Sequence, residues 1–194
     1  MKNLLIIMTI IFILSSSCSV MESEPEFESY FPLKTGNTWY YNRVNYNHNP
    51  YMKREIESKI VLNKKTYYVT KNIMHYSEPT SYFRSDTLRT DDLGRIWQRI
   101  RNEDFLIFDF SLEDDASYNF SGYSEDPEDE YIIIVSKIDT IEVNGEKYDD
   151  CYEFFFNIPG WVDDEKFYTF CRGIGLIKES AGEGPTLVLD LYTF

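Results

Sequence analysis

The sequence has few of the residues on which many enzyme and nucleic-acid sites depend. Its only two histidines, His48 and His75, have no Cys or His at ligand spacing beside them, so a zinc site is not expected. There is no G-x-S-x-G motif and no recognisable Ser-His-Asp or Cys-His arrangement. Lys and Arg number 19 against 33 Asp and Glu, which argues against nucleic-acid binding because phosphate contacts need clustered basic residues.

Helix-forming features are also scarce. Alanine occurs only twice, and no segment shows the apolar spacing of an amphipathic helix. The apolar run at residues 4–14 is broken by Thr9 and is too short for a membrane-spanning helix, which needs about 20 residues. Aromatic residues, in contrast, make up 17% of the chain, with 16 Tyr and 14 Phe, and this composition favours strands.

The N-terminal region is typical of an exported protein. Lys2, the apolar run and three serines match the successive regions of a secretory signal peptide. The small residues before Cys18 resemble the lipobox of bacterial lipoproteins, which implies that Cys18 is acylated and becomes the first residue of the mature chain. Ser15 stands where that family usually has Leu, so an ordinary secreted protein cut near Ser17 is the alternative.

Three segments are therefore predicted: a lipoprotein signal peptide (1–17), a lipidated Cys with an acidic tether (18–30), and a single β domain (31–194). Extended, the tether reaches about 35 Å at most. Removal of the signal peptide takes away one Lys and leaves 18 basic and 33 acidic residues, a formal charge of −15, so acyl chains rather than charge must provide the anchor. The expected location is the bacterial cell envelope, and Ser19 after the Cys resembles an outer-membrane sorting signal.

Alternating apolar and polar residues, separated by turn-forming clusters, run through most of the remaining chain. The predicted strands are 37–47, 52–62, 66–76, 81–90, 95–101, 105–111, 130–143, 146–158, 166–172, 173–180 and 186–194. The expected fold class is all-β, an antiparallel meander of about ten to eleven strands. The polar stretch 111–130 is expected to be an exposed loop.

A repeated sequence pattern indicates how the strands are grouped. The segment "IVLNKKTYYVT" at 60–70 corresponds to "IEVNGEKYDDC" at 141–151, and further matches occur at the same offset of 81. We predict two internal repeats of about 80 residues, 31–110 and 111–194. A meander of this size is expected to curl, which leaves a curved open sheet, a half-open or closed barrel, or two packed sheets.

The two similar segments, 60–70 and 141–151, each contain a predicted hairpin turn. Asn144-Gly145 suits a type I′ turn because both central residues need positive φ. Lys64 replaces the glycine in the first copy, which predicts a looser turn there.

Cys151 and Cys171 are predicted to form a disulfide. A hairpin centred on residue 161 would set them opposite each other, with Phe155 facing Phe167 on the same side of the sheet. Exported proteins retain such bonds. The alternative is two reduced thiols that pack as small apolar groups.

A basic, aromatic stripe is the first candidate binding site. Alternation within residues 95–101 places four residues on one face: Arg95, Trp97, Arg99 and Arg101. This pattern suits an anionic ligand or an acidic partner, with Arg stacked on Trp. The alternative is a solvated strand face whose arginines pair with neighbouring Asp and Glu residues.

Asp109 and Asp190 are the second candidates, since each lies in an apolar strand at equivalent places in the two repeats. Two carboxylates can act as acid and base in a glycosidase. No other chemical group accompanies them, however, so a hydrolase is the least favoured hypothesis and no catalytic residue is assigned.

Three short motifs, "YFPLKTGNTWYY" (30–41), "VNGEKYDDC" (143–151) and "GIGLIKE" (173–179), resemble a group of bacterial lipoproteins that share P-L-K-x-G-N-x-W and G-x-G-L-x-K. The resemblance implies an envelope location and a β architecture, and no activity. We therefore expect a membrane-anchored, non-enzymatic binding or accessory lipoprotein without cofactor or metal. Its expected partner is an apolar or amphiphilic ligand, or alternatively an envelope protein bound through the arginine stripe.

Overall fold

The structure is a computed structural model that describes residues 29–44, 51–75, 81–123, 130–160, 165–182 and 185–194. The predictions for the signal peptide, Cys18, most of the tether and His48 lie outside these residues. Within them, the chain is built from strands and turns, and no helix long and apolar enough to cross a bilayer occurs.

Twelve strands occur in the described part of the chain. They are β1 (Thr38–Arg43), β2 (Met52–Leu62), β3 (Lys65–His75), β4 (Ser81–Thr90), β5 (Ile96–Ile100), β6 (Glu103–Phe108), β7 (Ser117–Phe120), β8 (Tyr131–Val143), β9 (Glu146–Asn157), β10 (Lys166–Cys171), β11 (Gly175–Ala181) and β12 (Leu187–Thr193). The predicted all-β antiparallel meander is thus confirmed, with one strand more than the upper predicted number.

The additional strand, β7, lies in the stretch that was predicted to be an exposed loop, and this part of the prediction is wrong. β7 is only four residues long, and its sole ladder partner among the described strands is β8. Three of its residues are polar or part-exposed, and only Phe120 is fully buried. So short a strand at a sheet edge leaves too little alternation to be recognised from sequence.

All twelve strands belong to one sheet, in the order β6-β5-β4-β3-β2-β1-β12-β11-β10-β9-β8-β7. The first and last strands of the chain pair with each other, and this pairing joins the two halves at the middle of the sheet. The two sheet edges, β6 and β7, are consecutive along the chain. The curled sheet is therefore a nearly closed barrel with one seam.

Side chains bridge the seam where backbone pairing is missing. The Tyr118 hydroxyl on β7 donates a hydrogen bond of 2.8 Å to the Ile107 carbonyl on β6. Phe105 and Phe120 meet edge to face across the seam, with ring centroids 6.3 Å apart. These contacts cover the two sheet edges, which would otherwise present unpaired backbone groups.

Aromatic side chains fill much of the barrel. Phe108, at the end of β6, lies 5.0 Å from Phe154 and 4.6 Å from Phe170, measured between ring centroids. Phe110 packs on the same two rings at 5.2 and 5.5 Å. Because these pairs connect β6 with β9 and β10, the core ties the first half of the chain to the second through tilted and edge-to-face contacts.

The β2–β3 and β8–β9 hairpins, which have similar sequences, also have the same turn conformation. Asn63 and Lys64 have φ of 49° and 63°, and Asn144 and Gly145 have φ of 52° and 83°. The flanking residues are paired in both cases, Leu62 with Lys65 and Val143 with Glu146. The prediction of a looser first turn is therefore wrong, because Lys64 adopts the left-handed conformation that the two-residue turn requires.

A segment before β1, residues 29–37, crosses one end of the barrel, and we call it the strap. Its Tyr30 ring stacks on Phe110 at 4.8 Å, and the Tyr30 hydroxyl donates a 2.5 Å hydrogen bond to Asp150. Phe31 packs on Trp39 at 5.4 Å. Both strap aromatics are almost fully buried, so the strap is part of the core.

Cys151 and Cys171 are joined by a disulfide between directly paired residues of β9 and β10, with Cα atoms 4.1 Å apart. Phe155 pairs with Phe167 on the same face, and their rings stack at 4.6 Å. The β9–β10 hairpin thus has the predicted register, in which residues equidistant from position 161 pair with each other.

Candidate ligand-binding cavity

A cavity of about 110 Å³, partly open to solvent, lies within the barrel. One wall is polar, and we call its charged and amide side chains the polar wall: Arg54, Asn72, Arg84, Asp86, Gln98 and Glu179. The remaining lining includes apolar side chains from both halves of the chain: Phe31, Met52, Met74, Leu88, Ile107, Phe108, Phe170 and Leu187. The cavity thus offers a polar and an apolar surface to the same space.

The alternation of side chains along each strand explains why the polar-wall residues face the cavity. On β2, Arg54 lies between the buried residues Met52 and Ile56, two positions from each. Since alternate side chains point to the same face of a strand, Arg54 must face the barrel interior. Asn72 on β3 lies likewise two positions from buried Thr70. Sequence reasoning missed these residues, although a polar side chain in register with buried neighbours was the available signal.

Asp86 is the centre of the polar wall. It accepts hydrogen bonds from Asn72 Nδ2 at 3.1 Å and from Gln98 Nε2 at 2.9 Å. The Arg84 Nε atom lies 3.4 Å from the same carboxylate. Three strands, β3, β4 and β5, therefore contribute to one hydrogen-bonded unit that holds a carboxylate against the cavity.

Arg54 extends this unit across the barrel. Its Nε donates to Asn72 Oδ1 at 2.7 Å, and its Nη2 donates to Glu179 Oε2 on β11 at 3.2 Å. The guanidinium also lies over the Tyr41 ring, 5.7 Å from the centroid. Two arginines face two carboxylates in the polar wall, so its formal charge is zero.

Two tyrosines complete the surroundings of the cavity. The Tyr123 hydroxyl donates to Gln98 Oε1 at 3.0 Å, and burial, followed by the nearby charge of Asp86, raises the pKa of Tyr123 to about 12. Burial, reinforced by Glu179, also raises the pKa of Tyr168 well above 10. Both hydroxyls are therefore neutral at physiological pH. Within the described residues, the Tyr168 hydroxyl has no hydrogen-bond partner, which leaves it able to contact a ligand.

The predicted arginine stripe lies on the outer face of the barrel, away from the cavity. Trp97 and Arg99 do share one face of β5, opposite Ile96 and Gln98, as alternation predicts. Arg95 lies just before β5 and pairs with Asp91 at 2.8 Å, and the same carboxylate accepts a 2.8 Å hydrogen bond from the Trp97 indole.

Arg101 departs from the predicted stripe. It lies in the turn between β5 and β6 with φ of 50°, followed by Asn102 with φ of 73°. The strand has ended at Ile100, so Arg101 does not continue the face of Trp97 and Arg99. Because no glycine marks this turn, the alternating sequence pattern continues one residue beyond the end of the strand. The predicted placement of Arg101 in the stripe is therefore wrong.

Asp104 on β6 is the partner of Arg99 in the stripe and the centre of a wider network. It accepts hydrogen bonds from Arg89 at 2.9 Å, Lys65 at 3.0 Å, Tyr67 at 2.9 Å and Arg99 at 3.3 Å. Burial alone would raise the pKa of Asp104, but the hydrogen bonds from Arg89, Lys65 and Tyr67 outweigh it and lower the pKa to about 2. Because Tyr67 and Lys65 belong to β3, this network also holds the β2–β3 hairpin against β6.

Asp109 and Asp190 do not form a pair. Asp109 is buried just after β6, where its Oδ1 accepts hydrogen bonds from the Ser111 amide at 3.0 Å and the Ser111 hydroxyl at 2.6 Å. Asp190 is exposed on β12, near the middle of the sheet, whereas β6 lies at one sheet edge. Asp109 thus has a local structural role, stabilising the chain as it leaves β6.

In the sheet order, the five strands β1 to β5 lie between β6 and β12, and this is the separation that keeps the two carboxylates apart. The acid and base geometry of a glycosidase is therefore not assembled by Asp109 and Asp190. Within the described ranges, no group of three or more His, Cys, Asp or Glu side chains is placed to hold a metal ion.

No family model matches the chain, and no curated protein matches it. Similar solved structures include a "putative lipoprotein" from Parabacteroides distasonis ATCC 8503, which is 11% identical over 86% of this chain and 99% of that chain, with a TM-score of 0.47. They also include a "putative exported protein with YmcC-like fold" from Bacteroides fragilis NCTC 9343, which is 10% identical over 86% of this chain and 100% of that chain, with a TM-score of 0.48. Likeness at this level carries no conclusion about function.

Proposed function

We propose that this protein is an exported, lipid-anchored envelope protein that binds a small amphiphilic molecule inside its barrel without transforming it. The observation that carries the proposal is the interior cavity, in which the polar wall faces apolar side chains such as Leu88 and Phe108. A ligand with a polar head and an apolar body would satisfy both surfaces at once. Ligand pockets commonly combine an apolar lining with a few placed polar groups in this way.

The size of the cavity restricts the ligand. A volume of about 110 Å³ corresponds to roughly four water molecules at their share of liquid volume, and it is smaller than the about 150 Å³ of an apolar cavity that holds a benzene molecule. The ligand is therefore a small amphiphile, or a larger one of which only one part enters the barrel.

The polar wall indicates which head group fits. Its own charges balance, so a ligand with a large net charge would gain little from it. Arg84 is the least enclosed of the four charged groups, with 53% of its side chain exposed, and Tyr168 offers an unpaired hydroxyl. We propose that these two side chains contact a head group that both donates and accepts hydrogen bonds.

Export and anchoring rest on the sequence. The signal peptide and the acylation of Cys18 provide the proposed attachment to the bacterial cell envelope, with the outer membrane favoured by Ser19. The resemblance to lipoproteins that share the motifs P-L-K-x-G-N-x-W and G-x-G-L-x-K supports the same assignment. The disulfide between Cys151 and Cys171 fits an oxidising compartment.

An interaction platform on the arginine stripe is a weaker candidate. Arg95 and Arg99 each have a carboxylate partner on the same face, Asp91 and Asp104. An acidic partner would have to replace these intramolecular pairs, and exchange of one ion pair for another yields little free energy.

The proposal is tested by native mass spectrometry of the full chain after processing in a bacterial host. We expect a reproducible added mass that disappears on extraction with organic solvent. The variant Leu88→Phe should lose this mass, because the larger ring fills the cavity. The matched control Leu191→Phe introduces the same ring at an exposed site and should retain it. A bare wild-type mass, or equal added mass in both variants, would contradict the proposal.

A further inference from the structure

We infer that one end of the barrel rests on an anionic lipid surface through the side that carries the β2–β3 hairpin tip. This end carries the strap, the β2–β3 turn and the turn between β4 and β5. The inference depends on the lipid anchor of the proposed function and adds an orientation of the folded domain on the membrane.

Exposed apolar side chains gather around a recess at this end. The recess, of about 600 Å³, is lined by strap residues together with Thr66, Thr90 and Phe194. Val61 pairs with Thr66 and is 65% exposed, and Leu93, three residues after Thr90, is 61% exposed. Phe194 itself is 55% exposed. These side chains form an apolar rim that water covers in the isolated protein.

Lysines accompany the apolar rim. Lys59 and Lys64 are exposed in the β2–β3 hairpin, and Lys34 is exposed in the strap where it lines the recess. Exposed lysines beside exposed apolar residues suit contact with anionic lipid headgroups on this side of the barrel end. Exposed acids occupy the part of the same end formed by the β6–β7 connection and the β8–β9 hairpin: Glu113, Asp114, Asp115, Glu142, Glu146, Asp149 and Asp150. Asp92 is the exposed acid of the neighbouring turn.

The second hairpin provides an internal comparison. The β8–β9 turn has the same backbone conformation, yet its Val143 is only 6% exposed, whereas the corresponding Leu62 is 37% exposed. Glu142 and Glu146 flank Val143, in contrast to the lysines of the first hairpin. Because successive strands run in opposite directions, both hairpin turns lie at the same end of the barrel. The β2–β3 tip, unlike the β8–β9 tip, combines exposed apolar and basic side chains, and the comparison therefore assigns the lipid contact to the β2–β3 side of this end.

The anchor reaches the same end. Ser29, where the described chain begins, lines the recess and accepts a 3.0 Å backbone hydrogen bond from Gly173. Residues 18–28 separate it from the acylation site, and even when extended they span only about 35 Å. A tether this short, attached beside the apolar rim, brings that rim to the bilayer first.

The test uses the full chain, lipidated in a bacterial host and reconstituted into vesicles of phosphatidylethanolamine and phosphatidylglycerol with brominated acyl chains, which quench nearby tryptophan. The variant Val61→Trp places the probe on the rim. The matched control Val44→Trp places it at another exposed valine, 45% exposed after β1. From the pairing of Thr38 with Glu55, roughly 40 Å of strand separates the two sites.

We expect strong quenching for Val61→Trp and none beyond the native background for Val44→Trp. Adding Lys59→Glu and Lys64→Glu to the Val61→Trp variant should reduce its quenching while the protein still floats with the vesicles. Equal quenching at both sites, or quenching only at position 44, would overturn the orientation and leave the anchor intact. If the wild-type chain does not float with the vesicles, it is not lipid-anchored, and both the proposed anchor and the inferred orientation are overturned.

Discussion

Replacing Asp104 by Asn should destabilise the protein even though the new side chain has the same shape. Asp104 is the carboxylate that joins the β2–β3 hairpin to β6, and only 11% of its side chain is exposed. Its removal leaves Arg89, Arg99 and Lys65 close together without the anion between them. Loss of one partner from an enclosed charge network costs more than the network contributes when intact.

The size of the effect follows from the pKa. A carboxyl with a pKa of about 2 in the folded chain and 3.8 in the unfolded chain contributes about 2.5 kcal/mol to the free energy of unfolding at neutral pH. Because the folded-state pKa is the lower one, this contribution is complete above about pH 5 and is lost as the pH falls through about 2. For a domain of this size, the loss corresponds to a melting temperature about 5–10 °C lower.

The assay is urea unfolding of the wild type and Asp104→Asn between pH 2 and pH 7, followed by circular dichroism. The control Asp92→Asn changes an exposed carboxylate in the nearby turn and should alter the free energy of unfolding by no more than about 0.5 kcal/mol. A difference at pH 7 no larger than that of the control would show that Asp104 does not stabilise the folded chain. A difference that persists unchanged at pH 2 would show that the charge of Asp104 is not the cause, since there Asp104 is protonated in the unfolded chain and about half protonated in the folded chain, so that most of its contribution is lost.

Three further substitutions address the turn, the disulfide and the core. Lys64→Gly should raise the free energy of unfolding by about 0.5–1 kcal/mol, because glycine accepts the positive φ at this position; a lower value would show that the turn is not strained. The double variant Cys151→Ser/Cys171→Ser should lose about 3 kcal/mol in urea unfolding, and a reducing agent should have no effect on it. Phe108→Ala should lose about 3–5 kcal/mol, whereas Leu191→Ala, at an exposed site, should stay within about 0.5 kcal/mol, and similar losses would contradict the assigned core.

The features that depend on local pattern could be predicted from sequence. Alternation and turn residues identified the long strands, and symmetry about residue 161 identified the pairing of Cys151 with Cys171, because a hairpin register depends only on its turn. Trp97 and Arg99 were assigned to the correct shared face for the same reason. The contact of Arg99 with Asp104 is local as well, since the two residues pair across the β5–β6 hairpin. The contacts of Asp104 with Lys65 and Tyr67 could not be predicted, because they depend on how β3 lies relative to β6.

The cavity could not be predicted because its members come from distant parts of the chain. Arg54 and Glu179 lie 125 positions apart, and they meet only because β1 pairs with β12 and closes the sheet between the two halves. Nothing in the sequence near either residue specifies that pairing. The polar residues of the wall were visible as exceptions on apolar strand faces, but their convergence on one cavity depends on the curvature of the whole barrel.

A crystal structure of the protein purified gently from its bacterial host tests the central proposal most directly. The account predicts continuous ligand density inside the barrel, with a polar end within hydrogen-bond distance of Arg84 or Tyr168 and an apolar part against Leu88 and Phe108. Isolated water molecules in the cavity, together with a protein that shows no added mass, would contradict it.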